Sequence, residues 1–353
     1  MQRFVYESLP CRVVFGAGSF DTLPAELDRL GCKRALLLAT SRRGQAEAIV
    51  EHLGTRAAGV YDKAIMHVPI ETARDARAEA RRLDADVVVA VGGGSTIGLA
   101  KAIALESGLP VVAIPTTFSG SEMTPIWGLT DGGVKRTGRD LKVLPRTVIY
   151  DPALTLTLPP AVAGPSGVNA IAHCVEALYA ENANPIVSLM AEEGIRSLAA
   201  SLPTVVSKPG EPEAHATALY GAWLAGTCLG AVGMALHHKL CHTLGGSFKL
   251  PHAETHTVIL PYATAYNFAA APAAMMAISR ALGGTGNPAT ALFDLARKLR
   301  APAALKEIGM RADDLDRAAE LATRNPYYNP RPVTLDGVRA LLEAAFHGRR
   351  PDG

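Results

Sequence analysis

The sequence predicts an α/β domain over residues 1–155 and an all-helical domain over residues 156–353. Three observations predict this. Through the first part, short β-branched runs alternate with charged amphipathic stretches, the pattern of parallel strands joined by crossover helices. After Asp151-Pro152 those runs fade and Ala-, Leu- and Met-rich stretches replace them. The length, 353 residues, suits two domains of about 100–200 residues each.

The expected strands are 12–15, 35–39, 87–91, 111–114 and 147–150. Residues 71–83 are dense in Arg, Ala, Glu and Asp without Gly or Pro and read as a solvated helix, and 96–105 has helical composition. Leu158-Pro159-Pro160 and Gly164-Pro165 punctuate the expected boundary. Helices are expected at 168–180, 187–202, 213–229, 234–245, 271–282, 289–299, 312–323 and 335–345. No internal repeat is present.

Composition narrows the class. Lys+Arg 35 against Asp+Glu 33 leaves a charge of +2, and 48% hydrophobic residues against 19% charged exclude a disordered chain. Without a basic block, neither nucleic acid nor an acidic membrane is an expected partner. The five cysteines are scattered with no CxxC pair, which fits reduced thiols in a cytoplasmic protein. Residues 1–18 lack the apolar core of a signal peptide. The uncharged stretch 216–236 approaches the length of a membrane span, but it holds four glycines and runs into histidines. Buried helices are expected there.

The first functional signal is Val87-Val88-Val89-Ala90-Val91 feeding Gly92-Gly93-Gly94-Ser95 and a helix. A buried strand, a glycine turn and a helix N-terminus let phosphate approach the backbone, where free N–H groups and the helix dipole favour its charge. The run departs from GxGxxG, because position 97 is Ile, and it lacks the Lys-Ser/Thr of a P-loop. The next strand ends in Pro115-Thr116-Thr117-Phe118-Ser119-Gly120-Ser121-Glu122, placing hydroxyls where open parallel sheets bind ligands. A plain strand-to-helix turn would also use such residues, but two such loops favour a Rossmann-like dinucleotide site. Ala39-Thr40-Ser41-Arg42-Arg43 follows the second strand without an acid to select a free ribose 2′-hydroxyl, so both NADH and NADPH fit.

The second signal is histidine. Of ten, His237, His238, His242, His252 and His256 fall within twenty residues. His238 and His242 share a helix face, as do Asn169 and His173. Such spacing would let two helices and a loop bring imidazoles together around a metal. Yet Asn169 offers only a neutral amide where a carboxylate would complete the set. Single buried histidines are usually satisfied core residues, which a cluster this dense argues against.

On these motifs, with Phe15-Gly16-Ala17-Gly18, Gly98-Leu99-Ala100-Lys101, Asn169-Ala170-Ile171-Ala172-His173, the run 238–252 and Asn329-Pro330-Arg331-Pro332, the chain resembles the iron-containing alcohol dehydrogenase superfamily. Within it the maleylacetate reductase branch is closest in pattern. The resemblance covers nearly the whole chain and implies the dehydroquinate synthase-like fold. The superfamily's metal ligands, Asp and three His, fall on Asn169, His173, His238 and His252. The missing Asp, and Gly98 where another Asp is usual, both resemble that branch, so no required metal is expected. The resemblance assigns Gly93, Gly94, Ser95, Thr116, Thr117, Ser119 and Lys135 to the dinucleotide, to which Thr40 is added from the second strand end. It gives His242 the proton-handling role and implies a homodimer or larger.

The reaction so implied is hydride transfer from NADH, or NADPH, to the carbon–carbon double bond of maleylacetate, giving 3-oxoadipate in aromatic-compound breakdown. His242 would act as general acid, with His238, His173, His252 and Asn169 supporting the enolate. Lys239, Arg324, Arg331 and Tyr328, with Tyr327 beside it, are the candidates for the two substrate carboxylates, although most Lys and Arg are simply solvated. The rival readings are a metal-dependent alcohol or aldehyde dehydrogenase, a lyase resembling dehydroquinate synthase, and a dinucleotide-binding protein without chemistry.

Overall fold

The apolar runs expected as strands pair in parallel, and four of them are buried along almost their whole length because helices cover such sheets on both faces. The computed structural model describes residues 3–40, 44–132 and 134–351, with the side chains of 44, 45, 134 and 135 outside that description. It divides into two units, Leu9–Leu158 and Pro159–Gly353, the second including the chain start through Ser8.

The first unit runs β1 (Arg12–Phe15), α1 (Leu23–Arg29), β2 (Ala35–Leu38), α2 (Gly44–Leu53), β3 (Ala57–Tyr61), α3 (Ile70–Arg82), β4 (Val87–Gly92), α4 (Gly94–Ser107), β5 (Val111–Pro115), β6 (Ile126–Asp131), β7 (Val134–Arg139) and β8 (Thr147–Tyr150). Six strands form a parallel sheet in the order β1-β8-β5-β4-β2-β3. From β2 the chain moves outward to β3, and from β4 it moves the opposite way to β5, so the β2/β4 boundary is the topological switch point. Val87, Val88 and Val89 are wholly buried, each contributing about 1.5–3 kcal/mol. The five expected strands are present to within one residue. Strand β3, whose Ala-Ala-Gly-Val-Tyr composition is weak for a strand, and the antiparallel hairpin β6–β7 are additions to the expected set.

The second unit is helical: α5 (Pro160–Ala177), α6 (Pro185–Ser207), α7 (Pro212–Ala231), α8 (Leu236–Phe248), α9 (His252–Asn267), α10 (Pro272–Ala281), α11 (Pro288–Lys298), α12 (Leu315–Thr323) and α13 (Leu335–His347). Two expectations need correction. Gly164-Pro165 lies inside α5 and not at a boundary; in the second turn the ring removes one backbone donor without ending the helix. His252 opens helix α9 and is not on a loop. That helix is buried on nearly every face, polar residues such as Thr255, His256 and Thr257 included, and contains Pro261, so it lacks the amphipathic period by which helices are recognised. Among the described residues no single helix is long and apolar enough to cross a membrane; α7 and α8 pass that test only as a pair bent by 95°.

Candidate functional site

In the first unit, β4 delivers Gly92-Gly93 to the start of α4, whose N-cap, Gly93, makes no side-chain capping bond. Its first-turn N–H groups therefore point outward without a side-chain acceptor. The Thr116 N–H donates to the Gly92 carbonyl at 3.1 Å, which fixes the β5 loop beside the turn. A Cβ on Gly93 would lie 2.9 Å from the Thr117 side chain, so glycine is required by close approach. Gly94 is exposed and Ser95, Thr116 and Thr117 are half-buried at this turn, and half-buried Ser119 follows two residues further along the β5 loop. At Gly98 a Cβ would meet Val68 Cγ2 at 2.9 Å; valine holds the space into which a side chain at that position would grow. Thr40 is exposed just past β2, on the other side of the switch point. The side chain of Lys135 lies outside the described residues.

In the second unit, α5 presents Asn169, His173 and Glu176 at i, i+4 and i+7 on one face. Glu176 is wholly buried and takes the place of a local N-cap for α8. Its carboxylate accepts from the N–H groups of Ala235 (2.9 Å), His237 (2.8 Å) and His238 (3.3 Å), and from His238 Nδ1 at 2.6 Å. Since the carboxylate only accepts, Nδ1 of His238 carries the proton, and in the neutral ring Nε2 is left to accept. His173 Nδ1 lies 2.8 Å from it and donates. The result is a fixed chain, His173 to His238 to Glu176.

A second imidazole pair, His237 Nε2 and His256 Nδ1 at 2.9 Å, lies beside it. Burial, and then the neighbouring imidazoles, hold both rings well below the usual histidine range, so both are neutral near pH 7. His252 packs on His256 with ring centroids 4.4 Å apart, and exposed His242 is 6.1 Å from His238. The structure thus brings together His173, His238, His242 and His252, as the sequence predicted, with Asn169 on the same α5 face. Glu176, His237 and His256 complete the group. Glu176 was missed, although its place seven residues after Asn169 was the available signal.

At the ligand positions of the superfamily the structure places three imidazoles and the neutral amide of Asn169, with Nδ1 of His173 and Nε2 of His238 facing each other at 2.8 Å. The carboxylate of Glu176 is committed to His238 and to backbone. The buried Oδ1 of Asn169 has no hydrogen-bond partner, and as an amide it brings no negative charge. Among the described residues, the His/Cys/Asp/Glu group with ligand atoms all within 4.8 Å is instead His237, Cys241 and His256.

The expected carboxylate binders fare unevenly. Arg331 is not a free cation: its guanidinium stacks 4.2 Å from the Tyr266 ring centroid and donates to the Tyr266 carbonyl. The sequence could not reveal this, since Tyr266 lies on α9. Arg324 is exposed and within 4.0 Å of Glu320. Lys239 places its ammonium 5.5 Å from the Tyr327 ring centroid; the Tyr327 hydroxyl is buried without a partner, and Tyr328 is exposed.

A switch-point glycine turn in one unit and a histidine cluster in the other define an oxidoreductase of the alcohol dehydrogenase type. The chain belongs to the iron-containing alcohol dehydrogenase family: the model of that family matches residues 10–152, and the model of its C-terminal part matches residues 164–346. It is 57% identical over 352 residues to the maleylacetate reductase of Burkholderia cepacia, spanning 99% of this chain and 100% of that one. A solved structure from Ralstonia eutropha JMP134 is 62% identical with a TM-score of 0.99, covering all of both chains. The solved maleylacetate reductase of Rhizobium sp. strain MTP-10005 is 53% identical with a TM-score of 0.95, over 99% of this chain and 100% of that one.

Proposed function

We propose that this protein reduces maleylacetate to 3-oxoadipate, with NADH as the hydride donor and NADPH as an alternative, and that it works as a cytoplasmic homodimer without a required metal. The observation that carries the reading is the full-length identity to maleylacetate reductases, together with a histidine cluster in which Asn169 replaces the anionic ligand.

The chemistry follows from the substrate. Hydride adds to the alkene carbon β to the ketone, the double bond's electron pair moves toward the carbonyl, and an enolate forms. A proton then adds at the α carbon, so one NADH and one proton are consumed per 3-oxoadipate formed and the ketone is retained. The enolate needs donors at its oxygen. Because the N–H groups of His173 and His238 are committed along the chain to Glu176, the donors are the Asn169 amide and the imidazoles of His242 and His252, and a single such donor is typically worth about 3–4 kcal/mol at the transition state. His242 is the proton donor: it is exposed next to His238, and imidazole titrates near neutral pH. Lys239 and Arg324 remain the candidates for the substrate carboxylates.

NADH oxidation by chelator-stripped protein, with maleylacetate and then with divalent metal added back, tests the proposal. Rapid turnover of the stripped enzyme is expected. Turnover only with metal would refute the metal-free mechanism, and none in either state would refute the substrate. Light scattering tests the dimer.

A further inference from the structure

Lys101 stands in the middle of α4 with 1% exposure. A buried ammonium is costly unless its protons are satisfied, and this one meets only neutral oxygens. Nζ lies 2.6 Å from the Ser121 carbonyl, 2.8 Å from that of Thr124 and 2.9 Å from that of Ile126, with the Thr124 hydroxyl at 2.9 Å and the Ser121 hydroxyl at 3.4 Å. All five oxygens belong to one stretch, 121–126. That stretch continues the 116–119 loop without a break. Its Glu122, wholly buried, accepts from the Tyr150 hydroxyl at 2.8 Å and from the Ser119 hydroxyl at 3.5 Å.

A cage of five acceptors suits a monovalent cation. Burial pushes the Lys101 ammonium down to about 7 while the nearby Glu122 carboxyl pulls it back up. The lysine does not contact a dinucleotide itself, because its three protons are committed and its side chain is closed off from solvent.

We propose that Lys101 is a positioning residue for the dinucleotide: its ammonium is an internal cation that clamps the 116–126 loop to α4, and the cage left by its removal accepts a primary alkylammonium ion. The proposal rests on the reading of this loop as part of the cofactor site. It accounts for a lysine inside a helix where an apolar residue would pack without desolvation cost.

The test is Lys101→Ala assayed with n-propylammonium chloride and with sodium chloride at equal ionic strength. Loss of charged hydrogen bonds worth about 1.5 kcal/mol or more corresponds to at least about a tenfold rise in the NADH Kd and KM. The kcat at saturating NADH should stay within about threefold, and hydrogen exchange of 116–126 should accelerate. Propylammonium should restore both binding and exchange protection, and sodium should not. An unchanged KM and exchange rate, a loss confined to kcat, or a defect that propylammonium leaves untouched would each overturn the clamp. If Lys101→Ala does not fold, Thr124→Val, which at constant shape removes one Lys101 acceptor together with that hydroxyl's bonds to the Ser121 carbonyl and the Ile126 N–H, should raise KM about threefold; no change there overturns it as well. Should the wild-type protein bind no dinucleotide, the cofactor reading fails by itself, and the exchange measurement still decides the clamp.

Discussion

Glu176→Gln removes one charge and keeps the shape, and its consequence can be worked from four contacts. The carboxylate accepts three backbone N–H groups at the start of α8 and the Nδ1 proton of His238. One carboxylate oxygen takes three of these contacts, from Ala235 N, His238 N and His238 Nδ1, and the other only that from His237 N, so a glutamine whose NH2 replaces the first keeps one. Three hydrogen bonds to a charged group, at about 1.5–3 kcal/mol each, are lost. Relaxation returns part of this, leaving an expected destabilisation of about 3 kcal/mol in denaturant unfolding. The chemical effect is separate. With the amide NH2 against Nδ1, His238 takes the opposite tautomer, Nε2 becomes the donor, and His173 is forced to accept. The proton then no longer runs from His173 to His238 to carboxylate, and turnover should fall about 100-fold, equivalent to about 2.7 kcal/mol. Maleylacetate-dependent NADH oxidation and urea midpoints are measured on Glu176→Gln and on Glu176→Asp, which keeps the charge and should recover part of both. A Gln variant with wild-type turnover would refute the tautomer assignment, and one with wild-type stability would refute the capping role.

His242→Ala should lower kcat by about 10²–10⁴ while NADH affinity stays within twofold; binding by fluorescence titration separates the two, and unchanged turnover removes His242 from the mechanism. Gly93→Val places a branched side chain where a Cβ already comes within 2.9 Å of Thr117, so NADH affinity should drop at least tenfold; unaltered affinity would dissociate that turn from the cofactor. His237 and His256 are held neutral by burial. Below about pH 6.5 the unfolded chain binds protons that the native state refuses, so stability should decline as pH falls through that value and be flat above it. Urea midpoints at pH 5 equal to those at pH 7.5 would contradict this. Glu26 is pushed up by burial, but the Arg29 and Arg12 guanidiniums bring it below the usual carboxylate range. Its contribution is present above about pH 4.5 and lost at lower pH; Glu26→Gln should cost about 1–2 kcal/mol at pH 7 and nothing near pH 3.

What could be read from the sequence was what a local pattern records. Val87–Gly92 and Val111–Pro115 are near-continuous apolar runs ended by turn chemistry, so both strands and the glycine turn after the first were visible. The face carrying Asn169 and His173, and that carrying His238 and His242, follow from four-residue spacing. Long-range relations were not visible. Glu176 is a common helix residue until α8 folds against it, and Arg331 resembles a substrate ligand until Tyr266 is found beneath it. Helix α9 escaped because burial on every side erases the amphipathic period, and β3 because Ala-Ala-Gly opens it.

The proposed chemistry explains why a neutral donor set can stand where a family of oxidoreductases uses a cation. Reducing a ketone concentrates charge on one oxygen as an alkoxide, whose formation a Lewis acid assists strongly. Reducing the conjugated double bond spreads the same charge over an enolate, and the substrate's own carbonyl performs part of the stabilisation. Oriented N–H groups then suffice, provided they are fixed before the reaction begins. The surroundings of the proposed donors are fixed in this way: Glu176 sets the His238 tautomer and His238 sets His173, so His242 stands against an oriented His238 ring and His252 against the buried His237–His256 pair. Asn169 belongs to the same logic. In the proposed metal-free mechanism an aspartate at that position would add a negative charge beside a developing enolate and oppose the reaction, whereas the amide can donate to the oxyanion through its NH2 group.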